Sequence, residues 1–121
     1  MAAIAQPGAI TVSCPDPESL AEFYARATGW QKIFSSDTAA YLAGQNGMRL
    51  GFVKIDGYAP PAWPEAAHRL HIDFSVEDLD KAEAELVDLG AVKPEYQPGE
   101  GKWTVLLDPA GYPFCITTMA G

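Results

Sequence analysis

The sequence lacks long apolar runs and has few cationic residues. No segment approaches the roughly 20 consecutive apolar residues that a membrane-spanning helix requires, and the 8 lysines and arginines are outnumbered by 16 aspartates and glutamates. The resulting net charge of −8 repels the phosphates of nucleic acids and of anionic lipids. We therefore expect neither a nucleic-acid partner nor a membrane partner.

Cysteine is also scarce, and the N-terminus carries no secretory pattern. The two cysteines are Cys14 and Cys115, and the first residues lack the basic stretch and apolar run of a signal peptide. We predict a cytoplasmic protein in which both thiols are free. Strand parity places the two residues on opposite faces, which also argues against a disulfide.

The composition is that of one folded domain with many turns. Of the 121 residues, 48% are hydrophobic and 20% are charged, proportions typical of globular proteins. Ten prolines and eleven glycines indicate frequent turns and therefore short strands. We expect residues 1–121 to form a single domain, which is large enough to bury roughly two-thirds of its unfolded surface.

The order of the expected elements repeats once along the chain. A first module, at about residues 8–55, has a strand, a helix and three strands, which we expect at 9–14, 17–28, 30–35, 38–43 and 48–55. A second module, at about residues 69–119, repeats this order at 69–76, 79–89, 92–96, 102–107 and 112–118. A linker with several prolines, at about residues 56–68, separates them. The sequence therefore predicts two β-α-β-β-β modules.

Each expected helix is bounded by residues that favour helix ends. Asp16 suits the N-cap of the first helix and Asp78 that of the second, because a carboxylate accepts hydrogen bonds from the unpaired N–H groups there. Gly29 and Gly90 follow the last helical residues, where glycine adopts the left-handed conformation at low cost. Apolar residues at spacings of three and four predict one face of each helix that packs on a sheet.

The strand that opens the second module alternates apolar and polar residues. It runs Leu70-His71-Ile72-Asp73-Phe74-Ser75-Val76. Such alternation predicts one apolar face and one polar face, and the polar face carries an imidazole, a carboxylate and a hydroxyl. The last strand follows Asp108-Pro109-Ala110-Gly111, a sequence that suits a type I turn.

These two segments carry a resemblance to a known family. Leu70-His71-Ile72-Asp73-Phe74 opens the second module, and Asp108-Pro109-Ala110-Gly111-Tyr112-Pro113-Phe114-Cys115 closes it. With the doubled module and a linker that contains Pro60, Pro61, Trp63 and Pro64, the chain resembles small bacterial members of the glyoxalase/bleomycin-resistance/dioxygenase superfamily, also called vicinal oxygen chelate. The resemblance implies an α+β fold in which two curved mixed sheets form a cup with the helices outside. It also implies a homodimer.

The resemblance further implies where a metal ion would be held. Metal enzymes of the superfamily place ligands on the first and last strands of each module, usually two His (or His and Gln) and two Glu. The corresponding positions in this chain are Ala9, Gly51, His71 and Cys115, and only His71 is an orthodox match. A catalytic divalent ion generally needs three or more protein ligands, so we expect no metal cofactor, and His71 as a ligand if one binds. A set of His71, Asp73 and Cys115 is the alternative that would bind a divalent metal.

Strand parity and aromatic content predict the residues that line the cup. We expect ligand contacts from Ser13, Arg49, His71, Asp73 and Cys115 on the strands, and from the aromatic side chains of Tyr41, Trp63 and Trp103. Aromatic side chains suit the apolar lining of small-molecule sites. Trp63 lies among prolines in the linker, where it either closes the cup or anchors a dimer contact.

Three of these residues have alternative roles. Arg49 either clamps an anionic oxygen of a ligand, neutralises Asp73 or reaches solvent. His71 hydrogen-bonds a ligand, acts as a general base or satisfies backbone groups of the sheet. Cys115 has no activating base other than His71, so we expect a buried and inert thiol.

Two hypotheses for the function follow. The favoured one is a metal-free protein that sequesters an apolar or aromatic small molecule. The alternative is a metal-dependent lyase, isomerase or dioxygenase that uses His71. The sequence leaves open whether the protein is an enzyme, and no residue identifies the ligand.

Overall fold

The structure is a computed structural model that describes residues 8–44, 46–63 and 71–118. The described residues up to Tyr58 form one compact unit, and those from Ala59 onward form a second. The boundary falls within the linker predicted from the sequence. The predicted ends of the second module, at 69–70 and at 119, lie outside the described residues.

The first unit is a four-stranded mixed sheet with one helix. Its elements are β1 (Ala9–Cys14), α1 (Pro17–Thr28), β2 (Gln31–Ser35), β3 (Ala39–Ala43) and β4 (Arg49–Lys54). The strand order is β1-β4-β3-β2, in which β1 is parallel to β4 and the other neighbours are antiparallel. The predicted β-α-β-β-β order is confirmed, with every boundary within one residue of its predicted place.

The helix of the first unit begins and ends where the capping residues predict. The Asp16 carboxylate accepts a hydrogen bond from the Ser19 N–H at 3.3 Å, and Gly29 ends α1 with a φ of 76°. The apolar side of α1 packs on β3 and β4, where Tyr24 stacks on Phe52 with ring centroids 5.6 Å apart. Within this unit, the opposite face of the sheet is therefore the one that α1 leaves uncovered.

The second unit is a three-stranded mixed sheet with one helix. Its elements are β5 (Ile72–Ser75), α2 (Leu79–Leu89), β6 (Trp103–Leu107) and β7 (Pro113–Thr117). The strand order is β5-β7-β6, with β5 parallel and β6 antiparallel to β7. Asp78 caps α2 by accepting a hydrogen bond from the Lys81 N–H at 3.1 Å, and Gly90 follows the last helical residue.

The strand predicted at 92–96 is not formed, and β5, predicted at 69–76, covers only Ile72–Ser75 of the described residues. Val92 makes only an isolated antiparallel bridge to β6. The chain then leaves β6 at Pro94, which has no backbone N–H to donate to a ladder. Further along, the side-chain amide of Gln97 bonds both backbone groups of Val105. A bridge and a side chain therefore replace the expected strand.

The α+β class predicted from the sequence is confirmed, because each unit combines one helix with one mixed sheet. Cys14 and Cys115 are both free, as predicted, and both are buried. In the ranges that the structure describes, no helix has the length and apolar character needed to span a bilayer.

Candidate ligand-binding site

The polar residues at the start of the second module lie beside those of its last strand. β5 and β7 are parallel neighbours, and their register pairs Asp73 with Cys115. His71 precedes β5 and is two residues from Asp73, so both side chains lie on the same face of the sheet. The second sheet therefore brings an imidazole, a carboxylate and a thiol together.

The donor atoms of this cluster are close enough to contact one bound ion or molecule together. His71 Nε2 lies 3.3 Å from Asp73 Oδ1, and one donor atom of each of the three residues lies within 4.8 Å of the others. The side chains of His71 and Asp73 are 36% and 64% exposed, whereas Cys115 is buried. The cluster thus has an exposed polar rim above a buried thiol.

The environment of Cys115 opposes ionisation of its thiol. Burial, the largest cause, raises the pKa of Cys115 from its ordinary value of 9.0 to about 11. The negative charge of Asp73 and a hydrogen bond to its side chain raise this pKa in the same direction, because both favour the protonated form. At neutral pH, this environment favours a protonated thiol over a thiolate nucleophile. The burial of Cys115 agrees with the expectation from the sequence.

The cluster lines a cavity of about 430 Å³ in the second unit. The polar lining consists of His71, Asp73, Cys115 and Thr117. The apolar and aromatic lining consists of Trp63, Pro98, Trp103, Val105 and Pro113. A cavity of this size, with largely apolar walls and a few converging polar groups, is typical of small-molecule sites.

Two tryptophans form the aromatic walls of this cavity. The centroids of the Trp63 and Tyr96 rings lie 6.1 Å apart. The Nε1 atom of Trp63 is buried and has no hydrogen-bond partner among the described residues. Trp103 is 37% exposed, and its ring lies against Gly99, where an added Cβ would overlap it. Both indoles therefore offer apolar surface that a ligand can cover.

Four lining residues, Pro98, Val105, Pro113 and Thr117, are not among the eight expected contacts. Pro113 and Thr117 are each two residues from Cys115 on β7 and share its face. Val105 lies directly opposite Cys115 in the register of β6 and β7, so it can be identified once that register is known. Pro98 lies in the irregular segment that returns to β6, and no periodic pattern in the sequence indicates its position.

The other three residues expected at the site lie in the first unit. Ser13 is on β1, Tyr41 is on β3 and Arg49 begins β4. The Tyr41 ring occupies the space beside Gly51, because a Cβ added at Gly51 would lie 2.6 Å from Tyr41 Cε1 and 2.9 Å from Thr11 Oγ1. The structure therefore brings five of the eight expected residues to one cavity, and it places the other three on the sheet of the first unit.

Most of the chain matches the profile of a known sequence family. The profile of the Glyoxalase-like domain matches residues 9–117. The chain belongs to this family. Membership confirms the resemblance that the sequence motifs indicate. No curated protein is significantly similar to the chain in sequence.

Solved structures share the fold of this glyoxalase-like chain at low sequence identity. A mutant of the fosfomycin resistance protein FosX from Listeria monocytogenes, complexed with Mn(II) and 1S,2S-dihydroxypropylphosphonic acid, has a TM-score of 0.74 at 16% identity, covering 98% of this chain and 95% of that chain. The bleomycin-binding protein from Streptomyces verticillus, complexed with copper(II)-bleomycin, has a TM-score of 0.60 at 17% identity, covering 98% and 100%. A glyoxalase/bleomycin resistance protein/dioxygenase family enzyme from Burkholderia phytofirmans has a TM-score of 0.71 at 19% identity, covering 93% and 97%. These similarities establish the glyoxalase/bleomycin-resistance fold.

Proposed function

We propose that this glyoxalase-like protein binds and sequesters an apolar or aromatic small molecule in the cavity of its second unit. The main support for the proposal is the combination, in one cavity, of aromatic lining from Trp63 and Trp103 with polar lining from His71 and Asp73. Burial of apolar ligand surface supplies most of the binding free energy, and a few polar groups orient the ligand. Two structural neighbours support this class of activity, because one was solved with bleomycin and the other with a small phosphonic acid.

The residues at the usual metal positions favour binding without the usual metal site. Ala9 and Gly51 have no side-chain donor, so the first unit offers no side-chain ligand at either position that the resemblance assigns. The Tyr41 ring and Thr11 Oγ1 already occupy the space that a side chain at Gly51 would need. A glutamate at this position would therefore require Tyr41 to move.

Binding of a neutral aromatic probe tests this proposal. We expect 1-naphthylmethanol to bind chelator-treated protein saturably in isothermal titration calorimetry. Trp103→Ala removes one wall of the cavity and should weaken binding roughly tenfold, since a buried aromatic contact contributes about that much.

Trp30→Ala provides the matched control, because Trp30 lies in the first unit and does not line the cavity. This variant should bind the probe like the wild type. Absence of binding to the wild type, or equal losses in both tryptophan variants, would contradict the proposal.

A second candidate function rests on the donor set of His71, Asp73 and Cys115. Nitrogen, oxygen and sulfur donors within 4.8 Å of one another fit a borderline-soft divalent ion such as zinc, which accepts all three ligand types and can keep a fourth position open. They depart from the usual set of histidines and glutamates. When bound, such an ion would polarise a substrate oxygen as a Lewis acid, and the protein would be a metal-dependent lyase, isomerase or dioxygenase.

Titration with Co²⁺ tests this second candidate. A thiolate bound to Co²⁺ absorbs strongly in the near ultraviolet, so the candidate predicts this band in the wild type and in Cys14→Ser. Cys115→Ser should lose the band. Because the Cys115 thiol must release its proton to bind, affinity for Co²⁺ should rise with pH. A band that persists in Cys115→Ser would exclude this donor set.

Two expectations about context remain predictions. The resemblance implies a homodimer, which light scattering of the purified protein at several concentrations would test. The cytoplasmic location expected from the sequence would be tested by fractionation of the cells that make the protein.

A further inference from the structure

Two different partners pair with the outer edge of β6. Near its end, Leu107 exchanges backbone hydrogen bonds of 2.7 and 2.9 Å with Val92. Two residues earlier, the Val105 N–H donates to Gln97 Oε1 and the Val105 carbonyl accepts from Gln97 Nε2, both at 2.9 Å. The side-chain amide of Gln97 thus acts as the backbone peptide of a further strand would act.

Gln97 also stabilises the segment in which it lies. Its Nε2 donates a second hydrogen bond, of 3.0 Å, to the Pro94 carbonyl. The chain then turns back toward β6 through Glu100 and Gly101, whose φ values are 51° and 88°. A non-glycine residue in the left-handed region is unfavourable, so this turn needs contacts that hold it in place. The three hydrogen bonds of Gln97 are such contacts.

The segment from residue 94 to residue 102 contacts the walls of the ligand cavity. Pro98 lines the cavity directly. The Tyr96 ring contacts the Trp63 ring, and Gly99 lies so close to the Trp103 carbonyl and ring that an added Cβ would overlap both. The segment therefore forms one wall and supports the two aromatic walls.

We propose that Gln97 is a positioning residue that sets the shape of the ligand cavity by holding segment 94–102 against β6. The inference rests on the proposed function, because the shape of the cavity matters only if a ligand binds there. Without the side-chain amide, the N–H and carbonyl of Val105 lose their partners, and an unsatisfied, partly buried polar group is costly. The segment would then shift toward water, and Pro98 would leave its place in the wall.

Two variants and one control separate hydrogen bonding from packing. Gln97→Met keeps the approximate length and volume of the side chain but removes its polar atoms. Gln97→Glu keeps an acceptor for the Val105 N–H but places a negative charge against the Val105 carbonyl. Protonation of the new carboxyl restores a donor and an acceptor together. Leu86→Ala on α2 removes apolar contacts outside the segment and controls for lost stability alone.

Affinity for 1-naphthylmethanol, measured by calorimetry with all proteins folded, gives the main result. We expect Gln97→Met, which loses all three hydrogen bonds of the amide, to bind the probe roughly tenfold more weakly than the wild type. Leu86→Ala should bind like the wild type. Amide hydrogen exchange at Val105 should accelerate in Gln97→Met, because the N–H has lost its acceptor.

The pH dependence gives a result that a merely structural role would not. Gln97→Glu should bind weakly near neutral pH, and its affinity relative to the wild type should recover as the new carboxyl is protonated toward about pH 4. Both proteins carry the same His71 and Asp73, so the ratio isolates the introduced group. Gln97→Met should show no recovery.

The outcomes distinguish this inference from the proposed function. If the wild type binds the probe and Gln97→Met binds equally well, the inference is wrong and the proposed function stands. An equal loss in Leu86→Ala, or a Gln97→Glu variant that does not recover in acid, also overturns the inference. Failure of the wild type to bind the probe overturns both.

Discussion

Asp73 and Cys115 lie opposite each other in the parallel register of β5 and β7, and the carboxylate of Asp73 interacts with the thiol of Cys115 by charge and by a hydrogen bond. Together with burial, this pairing keeps the thiol protonated far above neutral pH. Asp73 also lines the cavity of the second unit, and its side chain is 64% exposed.

Removal of the Asp73 charge should lower the pKa of Cys115. Asp73→Asn eliminates the Coulombic effect on the thiol, so the pKa should fall from about 11 toward 9.0. It should remain above 9.0, because burial is the largest cause of the shift and is unchanged. Ultraviolet absorbance of the thiolate measures the pKa, in a Cys14→Ser background that leaves one thiol. An unchanged midpoint in Asp73→Asn would show that Asp73 has no effect.

The raised pKa of Cys115 should also make stability fall in alkaline solution. The thiol has a pKa of about 11 when folded and an ordinary value of 9.0 when unfolded. Between these values the unfolded chain releases the proton and the folded chain keeps it, so rising pH favours unfolding. The contribution of the protonated thiol to the free energy of unfolding is at most about 3 kcal/mol. It is fully present below about pH 9 and is lost by about pH 11.

Urea denaturation of the wild type and of Cys115→Ser across this pH range measures the effect. Tyrosines and lysines titrate in both proteins, so the informative quantity is the difference in unfolding free energy. As pH rises from about 9 to about 11, the wild type should lose more unfolding free energy than Cys115→Ser. Parallel curves for the two proteins would contradict the prediction.

Close packing beside Gly51 should make even a methyl group costly there. A Cβ at Gly51 would lie 2.6 Å from the Tyr41 ring and 2.9 Å from Thr11 Oγ1. We expect Gly51→Ala to destabilise the protein by about 1–3 kcal/mol in urea denaturation, as overpacking does. Gly8→Ala is the control, because nothing lies within 4 Å of a Cβ at that position.

A double-mutant cycle with Tyr41→Ala shows whether the ring is the obstacle. If Tyr41 fills the space beside Gly51, the cost of Gly51→Ala should shrink in the Tyr41→Ala background, which gives a coupling energy of about 1 kcal/mol or more. Additive effects would mean that Thr11, or the backbone, is responsible for the cost.

Local signals in the sequence predict the helices and most strands of this fold. Asp16 and Gly29 place the ends of α1 because their effects act over one helical turn, with no need of a distant partner. Strand 92–96 was wrongly predicted for the opposite reason. Whether Val92 continues into a strand depends on Pro94 and on the competing hydrogen bonds of Gln97. A side-chain amide that takes the place of a strand produces no periodic pattern in the sequence.

The candidate site is only partly predictable from the sequence, because strand pairing is non-local. The alternation around His71 and Asp73 shows which face they share, but it does not show which residue of β7 lies opposite. That register places Cys115 beside Asp73. The donor atoms of His71, Asp73 and Cys115, which the sequence disfavours as a metal-binding set, are therefore neighbours. Pro98 enters the cavity through an irregular segment, whose path depends on tertiary contacts.

The turn before β7 should depend on the buried carboxylate of Asp108. This residue is 3% exposed, and its Oδ1 accepts hydrogen bonds from the N–H groups of Ala110 and Tyr112 at 2.9 and 3.0 Å. Its backbone carbonyl accepts from the Gly111 N–H at 2.8 Å, the bond expected of the predicted β-turn. Because β7 begins two residues beyond Gly111, the turn also sets the position of the strand that carries Cys115.

Asp108→Ala should therefore destabilise the protein by about 2–4 kcal/mol in urea denaturation, because the buried N–H of Ala110 and the partly buried N–H of Tyr112 lose their acceptor. Asp108→Asn should cost less, since its amide oxygen can still accept both hydrogen bonds. Asp88→Ala on the exposed side of α2 is the matched control and should change stability by no more than about 0.5 kcal/mol. Equal effects of Asp108→Ala and Asp88→Ala would show that the hydrogen bonds of the carboxylate do not hold the turn. Equal effects of Asp108→Ala and Asp108→Asn would show that the charge matters more than the accepting oxygen.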